Sequence, residues 1–429
     1  MHSFGYRNGK LYCEDVDLTQ AAAEFGTPLY IYSATTIVDH FTRLDAALAS
    51  LDHLICYAVK ANSNRAILKL LADAGAGFDI VSGGELFRAV NASADPQKCT
   101  FAGVGKSRAE IEYALDRRVY SFNVESEAEL EQINKIAGEK NVRAPIALRV
   151  NPDVDPHTHK YISTGSHENK FGIALAEAPS VYERAAKLGN VEIVGVQMHI
   201  GSQITEANPF AAAINKVAPL ARDLKSKYGI KFFSIGGGMG IIYRRALESG
   251  SGKWWHDHGG EASAFSVGDY ANAIIPPLRD LGLRILLEPG RFIVGNAGAL
   301  ITRVLYIKSA AQKRFVIVDA GMNDLIRPAL YQGYHEIVPV EKGRGDSPNR
   351  AIDIVGPVCE SGDFFALDRE MPQVSEGELL AVLSAGAYGF TMASNYNSRP
   401  LPAEALVQGD KVKLIRKRQT LKDLVRDEQ

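Results

Sequence analysis

The sequence lacks paired cysteines, an excess of basic residues and any targeting signal. Its four cysteines, Cys13, Cys56, Cys99 and Cys359, stand far apart without a CxxC pair, which argues against a zinc site or a disulfide framework. We therefore predict no metal site and buried free thiols, with Cys359 as the exception. A formal net charge of -2 provides no field that would attract nucleic acid or an anionic membrane, so a small-molecule partner is expected.

Long apolar runs are also missing. No stretch approaches the length of a membrane span, and Met1–Leu11 resembles neither a signal peptide nor a transit peptide, so we expect a cytoplasmic protein. Hydrophobic residues make up 46% of the chain and charged residues 23%, which is typical of a globular rather than a disordered protein. A length of 429 residues favours a large domain with a smaller companion.

Between about residues 28 and 290, short apolar runs alternate with helical patterns. The candidate strands are Leu54–Val59, Phe78–Val81, Cys99–Ala102, Ser121–Val124, Pro145–Asn151, Ile193–His199, Phe232–Ile235 and Arg284–Glu288. Amphipathic patterns between them predict helices at Ala66–Ala74, Gly84–Val90, Ala109–Leu115, Glu127–Ile136, Ala174–Leu188 and Phe210–Leu224. This alternation predicts an α/β fold with a closed (β/α)8 TIM-type barrel, and an open doubly wound sheet is the alternative.

After residue 290 the pattern changes to β-rich runs separated by turns. These runs are Leu300–Ile307, Arg314–Asp319, Ala351–Val355, Leu379–Ser384 and Lys411–Ile415. We predict a second, mostly β domain of the barrel or sandwich type, formed by residues 1–27 and 291–429. The Ala246–Glu261 stretch, with Trp254 and Trp255, is interpreted as a long surface loop.

Polar residues that close apolar runs are candidate reacting groups, because a parallel barrel gathers its strand ends at one mouth. Lys60 closes the first run, where an apolar wall can lower the pKa of an amine and make it nucleophilic. His199 closes the sixth run and precedes Gly201 and Ser202, so its ring could stack on a flat cofactor. A snorkelling surface lysine and a core histidine are the ordinary alternatives.

The last two barrel runs are followed by further candidate site groups. The seventh is followed by the consecutive glycines Gly236, Gly237 and Gly238. Their backbone N–H groups can converge on a phosphate, which barrels commonly bind at this position, although a tight turn is the alternative. The eighth run ends in a carboxylate and a guanidinium, within the series Glu288, Pro289, Gly290 and Arg291.

Five motifs occur in order over nearly the whole chain. They are Tyr57-Ala58-Val59-Lys60-Ala61-Asn62, His199-Ile200-Gly201-Ser202-Gln203, Gly236-Gly237-Gly238, Glu288-Pro289-Gly290-Arg291 and Cys359-Glu360-Ser361-Gly362-Asp363. Together they resemble the motifs of the alanine-racemase-like decarboxylases that use pyridoxal 5'-phosphate (PLP), and most closely those of the diaminopimelate decarboxylase family.

This resemblance implies PLP as the cofactor. Lys60 would bind it covalently with Asp79 orienting the amine, Glu288 would keep the pyridine nitrogen protonated, and His199 would stack on the ring face. The phosphate and its surroundings would be bound by Ser202, Gly236, Gly237, Gly238, Pro289, Gly290, Arg291 and the Tyr388 hydroxyl.

The resemblance also implies a diamino acid substrate, with meso-2,6-diaminopimelate converted to L-lysine and CO2. Its recognition would involve Arg291, Arg327, Tyr331, Glu360 and Tyr388. A carboxylate at the far end of the substrate favours the planar guanidinium group of an arginine. An ammonium at that end favours a hydrogen-bond acceptor such as Glu360. A domain-interface ion pair is the alternative role for Arg327.

In the family, the Cys359–Asp363 loop comes from the partner subunit, and its cysteine delivers the proton that replaces CO2. The resemblance therefore implies a homodimer with shared active sites. The segment His159–Gly165 is interpreted as part of a lid. Two departures from the family pattern are Asn169, where a serine is usual, and the additional stretch Ala246–Glu261.

Three alternative functions stay open. The first is a decarboxylase of the same fold that acts on ornithine, lysine, arginine or carboxynorspermidine. The second is an amino-acid racemase, against which the Cys359–Asp363 loop argues. The third is a PLP-binding protein without catalysis, against which the presence of both Lys60 and Cys359 argues.

Overall fold

A computed structural model describes residues 2–154, 170–251, 265–310, 313–342 and 349–429. The chain forms two compact units, and at the described positions it passes between them after Asp39, Ile241 and Phe292. We call the unit that contains residues 40–241 the barrel unit, and the other the β unit. Three predicted features lie outside the described residues, namely His159–Gly165, Asn169 and the Trp254–Trp255 pair.

The barrel unit is built on eight parallel strands that form a closed ring. Each pairs with its neighbours in chain order, and the eighth pairs with the first through Ile285 and His53. The strands are His53–Ala58, Gly77–Ile80, Cys99–Phe101, Ser121–Val124, Ala144–Asn151, Val191–Met198, Phe232–Ser234 and Arg284–Leu287. The predicted (β/α)8 barrel is confirmed, and the open sheet is excluded because the ring closes.

Helices alternate with these strands along the chain, as the spacing of apolar residues predicts. Side-chain caps mark the starts of most of them. Ser107, for example, accepts a hydrogen bond from Glu110 N, while the Glu110 carboxylate accepts one from Ser107 N. The helices are Arg65–Asp73, Gly83–Asn91, Arg108–Arg117, Glu127–Glu139, Ala178–Ala185, Asn208–Tyr228 and Val267–Arg279. Ala34–Ala47 and Arg291–Val294 run across the boundaries between the units.

One predicted helix is shorter than expected. The helix predicted at Ala174–Leu188 covers only Ala178–Ala185, and the short strand Ile173–Ala174 precedes it. Proline is favoured in the first turn of a helix, where no backbone N–H is needed, and the helix begins immediately before Pro179.

The β unit contains a three-stranded sheet at the N-terminus and a larger mixed sheet. The small sheet consists of Phe4–Arg7, Lys10–Cys13 and Val16–Asp17. The larger one consists of Leu29–Ser33, Gly298–Ala310, Lys313–Val318, Ile337–Pro339, Arg350–Val355, Phe364–Met371, Leu379–Val382, Ala403–Gln408 and Lys411–Arg416. Its helices are Leu18–Phe25, Arg327–Tyr331 and Leu421–Leu424. The second, mostly β domain is thus confirmed.

The strand Leu29–Ser33 corrects the predicted domain boundary. It pairs antiparallel with Gly298–Ala310 and parallel with Ala403–Gln408, so it belongs to the β unit rather than to the barrel. The boundary near the N-terminus therefore lies after Asp39 and not after residue 27, and Ile242 likewise begins a segment of the β unit. Within the described ranges, no helix is long and apolar enough to cross a membrane.

Candidate active site

An amine and a carboxylate meet at the carboxyl ends of the first two barrel strands. Lys60 lies in the turn Val59–Ala61 that follows the first strand, and its Nζ donates to Asp79 Oδ2 at 2.5 Å. Ala58 is the register partner of Asp79, which explains why a residue just beyond it reaches this carboxylate. The Asp79 side chain is 1% exposed and that of Lys60 is 40% exposed, so the amine lies where the core meets solvent.

Glu85 is a second carboxylate near this pair. Its Oε2 accepts a hydrogen bond from Val81 N at 2.8 Å. Burial raises the pKa of Glu85 to about 7, although the charge of Lys60 opposes the shift. At neutral pH this carboxyl is therefore divided between its charged and neutral forms.

A second group of polar side chains surrounds Glu288, which directly follows the last barrel strand. Ser234 Oγ donates to Glu288 Oε1 at 2.6 Å, and Gln197 Nε2 donates to Oε2 at 2.9 Å. Asn123 Nδ2 lies 3.5 Å from Oε1. Burial, followed by the negative charge of Asp79, raises the pKa of Glu288 to about 7. A buried carboxyl held by neutral donors is suited to bind a cationic ring nitrogen.

His199 follows the sixth strand and contacts the glycine run. Its Nδ1 accepts a hydrogen bond from Gly237 N at 3.3 Å, and because the amide can only donate, Nδ1 carries no proton in this arrangement. Burial, followed by the charges of Arg149 and Lys60, lowers the pKa of His199 well below its ordinary value. The ring is therefore neutral at physiological pH, which suits a stacking surface.

Close backbone approach requires the glycines after the seventh strand. A Cβ on Gly236 would lie 2.4 Å from the carbonyl oxygen of Met198, and a Cβ on Gly237 would lie 2.1 Å from that of Glu288. Gly238 has a φ of +113°, and its Cβ would lie 2.5 Å from a neighbouring carbonyl oxygen. The ends of strands six, seven and eight therefore approach one another closely, which only residues without a Cβ allow at these positions.

Arg291 lies at the same edge. Its Nη2 donates to Ser202 Oγ at 3.0 Å, and the residue is 7% exposed. The carbonyl of Pro289 accepts from Ala58 N at 3.0 Å, and a Cβ on Gly290 would lie 2.9 Å from a side-chain carbon of the turn after the first strand. The segment after strand eight thus closes against strand one and carries the guanidinium to the barrel mouth.

Four charged residues that the sequence did not reveal form a buried chain at the ends of strands three to five. Lys106 Nζ lies 2.5 Å from Glu129 Oε1, whose other oxygen accepts from Glu125 N at 2.8 Å. Glu125 Oε1 in turn accepts from Arg149 Nη1 at 3.0 Å. Each carboxylate pairs with one cation, which offsets the desolvation cost of these charges, and Arg149 connects them electrostatically to His199.

The β unit holds the other predicted site residues, beginning with Arg327. This arginine is 7% exposed, and its Nη1 donates to His335 Nε2 at 2.7 Å. Its guanidinium carbon lies 4.7 Å from the centre of the Tyr243 ring. Tyr331 is partly buried at the end of the same short helix, Arg327–Tyr331. Tyr388 is partly buried and has a left-handed φ of 55°.

Cys359 lies in an exposed loop of the β unit. It is the exposed member of the four cysteines, since Cys13, Cys56 and Cys99 are buried as predicted. Its backbone N–H donates to Asn397 Oδ1 at 3.2 Å. Burial in an apolar environment makes a thiol unreactive, and Cys359 is not buried in this way.

Asp363 shapes this loop. Its Oδ1 accepts from Met322 N and its Oδ2 from Val358 N, both at 2.6 Å. Glu360 Oε2 accepts from the Tyr396 hydroxyl at 3.3 Å. The carboxylate of Asp363 thus binds the base of the loop, while the thiol and Glu360 stay on its outer side.

The structure brings the predicted site residues of the barrel unit together at one end of its strands. The barrel unit gathers Lys60, Asp79, His199, Ser202, Gly236, Gly237, Gly238, Glu288, Pro289, Gly290 and Arg291 at the carboxyl ends of its strands. The β unit carries Arg327, Tyr331, Cys359, Glu360 and Tyr388. The sequence missed the partners of Glu288, although Gln197 and Ser234 are polar residues within apolar strands and so gave a usable signal.

Proteins with similar sequences carry related names. Residues 34–295 match the family model described as pyridoxal-dependent decarboxylase, pyridoxal binding domain. The chain is 50% identical over 415 residues to a diaminopimelate decarboxylase of Aquifex aeolicus, covering 96% of this chain and 94% of that protein. It is 48% identical to a diaminopimelate decarboxylase of Pseudomonas aeruginosa, covering 99% of this chain and 98% of the relative.

A solved structure extends this similarity to the fold. The crystal structure of diaminopimelate decarboxylase from Helicobacter pylori complexed with L-lysine has a TM-score of 0.88 at 42% identity, covering 96% of this chain and 98% of that one. The family predicted from five motifs is therefore confirmed over nearly the full length. The chain belongs to the pyridoxal-dependent decarboxylases and, within them, to the diaminopimelate decarboxylase family.

Proposed function

We propose that this protein decarboxylates meso-2,6-diaminopimelate to L-lysine and CO2 with PLP as its cofactor. The observation that carries the proposal is the 50% identity to a diaminopimelate decarboxylase over 96% of this chain. The barrel unit adds chemical support, because an amine, a buried carboxyl and a glycine run lie at its strand ends.

The residues of the barrel unit fit PLP. The glycine run, which would bind the phosphate, and the Ser202 hydroxyl lie at the same edge of the barrel unit. Among the described residues, Asp79 Oδ1 is buried without a hydrogen-bond partner, so this carboxylate has a free acceptor beside Lys60. Glu288 would contact the ring nitrogen, and the neutral His199 ring would cover one face.

Each residue then has a defined task. The chemistry that PLP supplies when bound is an electron sink for the pair left on the α-carbon as CO2 departs. Lys60 would bind the cofactor through its Nζ, and Asp79 would orient that amine. Glu288 would hold a proton at the ring nitrogen, which strengthens the sink. The hydroxyl of Tyr388 would add a donor to the phosphate.

Two arginines would select a substrate that keeps a carboxylate at its far end. Arg291 and Arg327 are each 7% exposed, so a carboxylate that binds them is largely removed from water. The distal ammonium would be bound by Glu360, with Tyr331 and Tyr388 beside it. Ornithine, which lacks the second carboxylate, would gain little from these guanidiniums.

The thiol of Cys359 would donate the proton that replaces CO2. We propose that it enters the site from the partner subunit, so that the working unit is a cytoplasmic homodimer with shared active sites. Exposure of this thiol in the described structure is consistent with a role at a surface that a second subunit covers. The product places the enzyme in lysine biosynthesis.

The test is CO2 release from the purified protein with PLP. We expect the highest kcat/KM with meso-2,6-diaminopimelate, compared with ornithine, lysine, arginine and carboxynorspermidine. Higher kcat/KM for ornithine would reject the proposed substrate. Racemisation of an amino acid without CO2 release would identify a racemase, and bound PLP without any turnover would identify a binding protein.

A further inference from the structure

We propose that His335 is a positioning residue for substrate recognition, which holds the guanidinium of Arg327 toward the distal carboxylate of the substrate. The inference rests on the proposed function, because it gives Arg327 a carboxylate to bind. It adds a residue that none of the five motifs contains. His335 is fully buried and lies eight residues after Arg327.

The hydrogen bonds of His335 define a single protonation state. Its Nδ1 lies 2.8 Å from the carbonyl oxygen of Leu383, which can only accept, so Nδ1 carries the proton. Its Nε2 lies 2.7 Å from Arg327 Nη1, which can only donate, so Nε2 carries none. The ring is therefore a neutral acceptor whose orientation is fixed by the backbone of the β unit.

A neutral acceptor has a specific advantage beneath a carboxylate-binding arginine. It fixes the direction of the guanidinium through one N–H, whereas a carboxylate at the same position would also neutralise the positive charge. A neutral histidine does not itself neutralise the charge of Arg327. This distinction explains why a histidine in this tautomer, rather than an acidic residue, suits position 335.

Tyr243 restricts the same guanidinium from another side. The guanidinium carbon of Arg327 lies 4.7 Å from the centre of the Tyr243 ring, a cation–π contact. The Tyr243 and His335 rings meet edge to face, with centroids 5.2 Å apart and planes at 82°. Arg327 is thus held by the face of the Tyr243 ring and by Nε2 of His335, and these two rings also contact each other.

Local chain geometry brings His335 back to Arg327. The helix Arg327–Tyr331 ends at Gln332, which has a left-handed φ of 53°. Gly333 N then donates to the carbonyl of Arg327 at 3.2 Å, which reverses the chain. Arg327 and His335 therefore lie close together along the chain, while Leu383 and Tyr243, which orient them, come from other segments of the β unit.

The test compares two amide substitutions at one position. In His335→Gln the side-chain oxygen can reach as far as Nε2 and accept from Arg327, whereas in His335→Asn the amide reaches only the Nδ1 position near Leu383. For each holoenzyme, kcat and KM are measured with meso-2,6-diaminopimelate. Inhibition constants are measured for L-lysine, which has a carboxylate, and for 1,5-diaminopentane, which has the same length without one.

We expect His335→Asn to raise the KM and the inhibition constant of L-lysine roughly ten-fold, the effect of losing a hydrogen bond to a charged group. The inhibition constant of 1,5-diaminopentane should stay within about two-fold, since no carboxylate is involved. His335→Gln should recover most of the preference for L-lysine. A general packing defect would instead weaken both inhibitors equally.

Three results would overturn the inference. An unchanged ratio of the two inhibition constants in His335→Asn would show that His335 does not position Arg327. Equal ratios in the Asn and Gln variants would exclude the acceptor role. A wild-type enzyme that releases no CO2 from meso-2,6-diaminopimelate would overturn the proposed function, and this inference with it. Should His335→Asn fail to fold, as judged by circular dichroism, His335→Phe also lacks an acceptor and must show the same changed ratio.

Discussion

The amine of Lys60 lies 2.5 Å from the carboxylate of Asp79, and the two residues come from neighbouring parallel strands. The parallel pairing of the first two strands explains this contact. Ala58 is paired with Asp79, and Lys60 follows Ala58 by two residues. The ion pair is anchored on its acidic side, where Asp79 is 1% exposed. The Asp79 carboxylate therefore fixes the direction of the Lys60 amine at the barrel mouth.

Replacing this amine should remove covalent attachment of the cofactor. We expect Lys60→Ala to lack the visible absorbance of bound PLP and to lose at least about 1000-fold in kcat, because covalent catalysis requires the nucleophile. The matched control is Lys69→Ala, which removes an exposed lysine that pairs with Asp73. Turnover of the Lys60 variant close to that of the control would contradict the role.

Glu288 predicts a pH dependence of stability in the protein without PLP. Burial raises its pKa from 4.5 to about 7, so between these values the folded chain retains a proton that the unfolded chain loses. Stability should therefore fall as the pH rises through this window, by an amount on the order of a few kcal/mol. Glu288→Gln should remove that part of the slope.

The measurement is the free energy of unfolding by urea at several pH values between 4.5 and 7.5, compared between the wild type and Glu288→Gln. The comparison is needed because burial also raises the pKa of Glu85 and Asp324, which contribute to the slope of both proteins. Identical slopes in the two proteins would show that Glu288 titrates normally.

The close packing around Gly237 predicts that one added methyl group lowers both stability and PLP binding. In Gly237→Ala the added Cβ would lie 2.1 Å from the carbonyl oxygen of Glu288, so backbone must move. We expect a loss of roughly 1–3 kcal/mol in unfolding free energy and weaker binding of PLP. Gly189→Ala is the control, since its Cβ would meet nothing within 4 Å. Equal stability and PLP affinity in the two variants would refute the close approach.

A shared active site predicts complementation between inactive variants. Lys60→Ala and Cys359→Ala should each be nearly inactive as homodimers, whereas a mixed dimer would contain one site with both groups. Random assembly after co-expression makes about half of the dimers mixed, so about a quarter of wild-type activity should return. Activity no higher than that of the separate variants would place both residues in sites of a single subunit.

The barrel could be predicted because its strands are local apolar runs. Ser121–Val124, for example, is buried throughout and has the bounds that the sequence predicts. Leu29–Ser33 is equally buried, yet it belongs to the other unit, because an apolar run does not reveal which sheet it joins. Phe364–Met371 was missed since its exposed half, with Asp368 and Glu370, interrupts the apolar pattern.

The candidate site shows a similar division. Lys60 and Glu288 close apolar runs, so the rule that strand ends gather at one mouth found them. A partner from a distant strand, such as Asn123 of the fourth strand, faces Glu288 only because the strands form a closed ring. His335 could not be found, because only coordinates reveal that its two nitrogens contact a carbonyl and an arginine.

The strand Leu29–Ser33 can be paired only after much later parts of the chain have been synthesised. This early segment is hydrogen-bonded on one side to Gly298–Ala310 and on the other to Ala403–Gln408, and both of these strands follow the last barrel strand in the chain. A nascent chain that already holds every barrel strand still carries an unpaired apolar strand near its start. Truncation before residue 403 would leave one edge of that strand permanently uncovered, so a shortened product should aggregate rather than persist as a stable fragment.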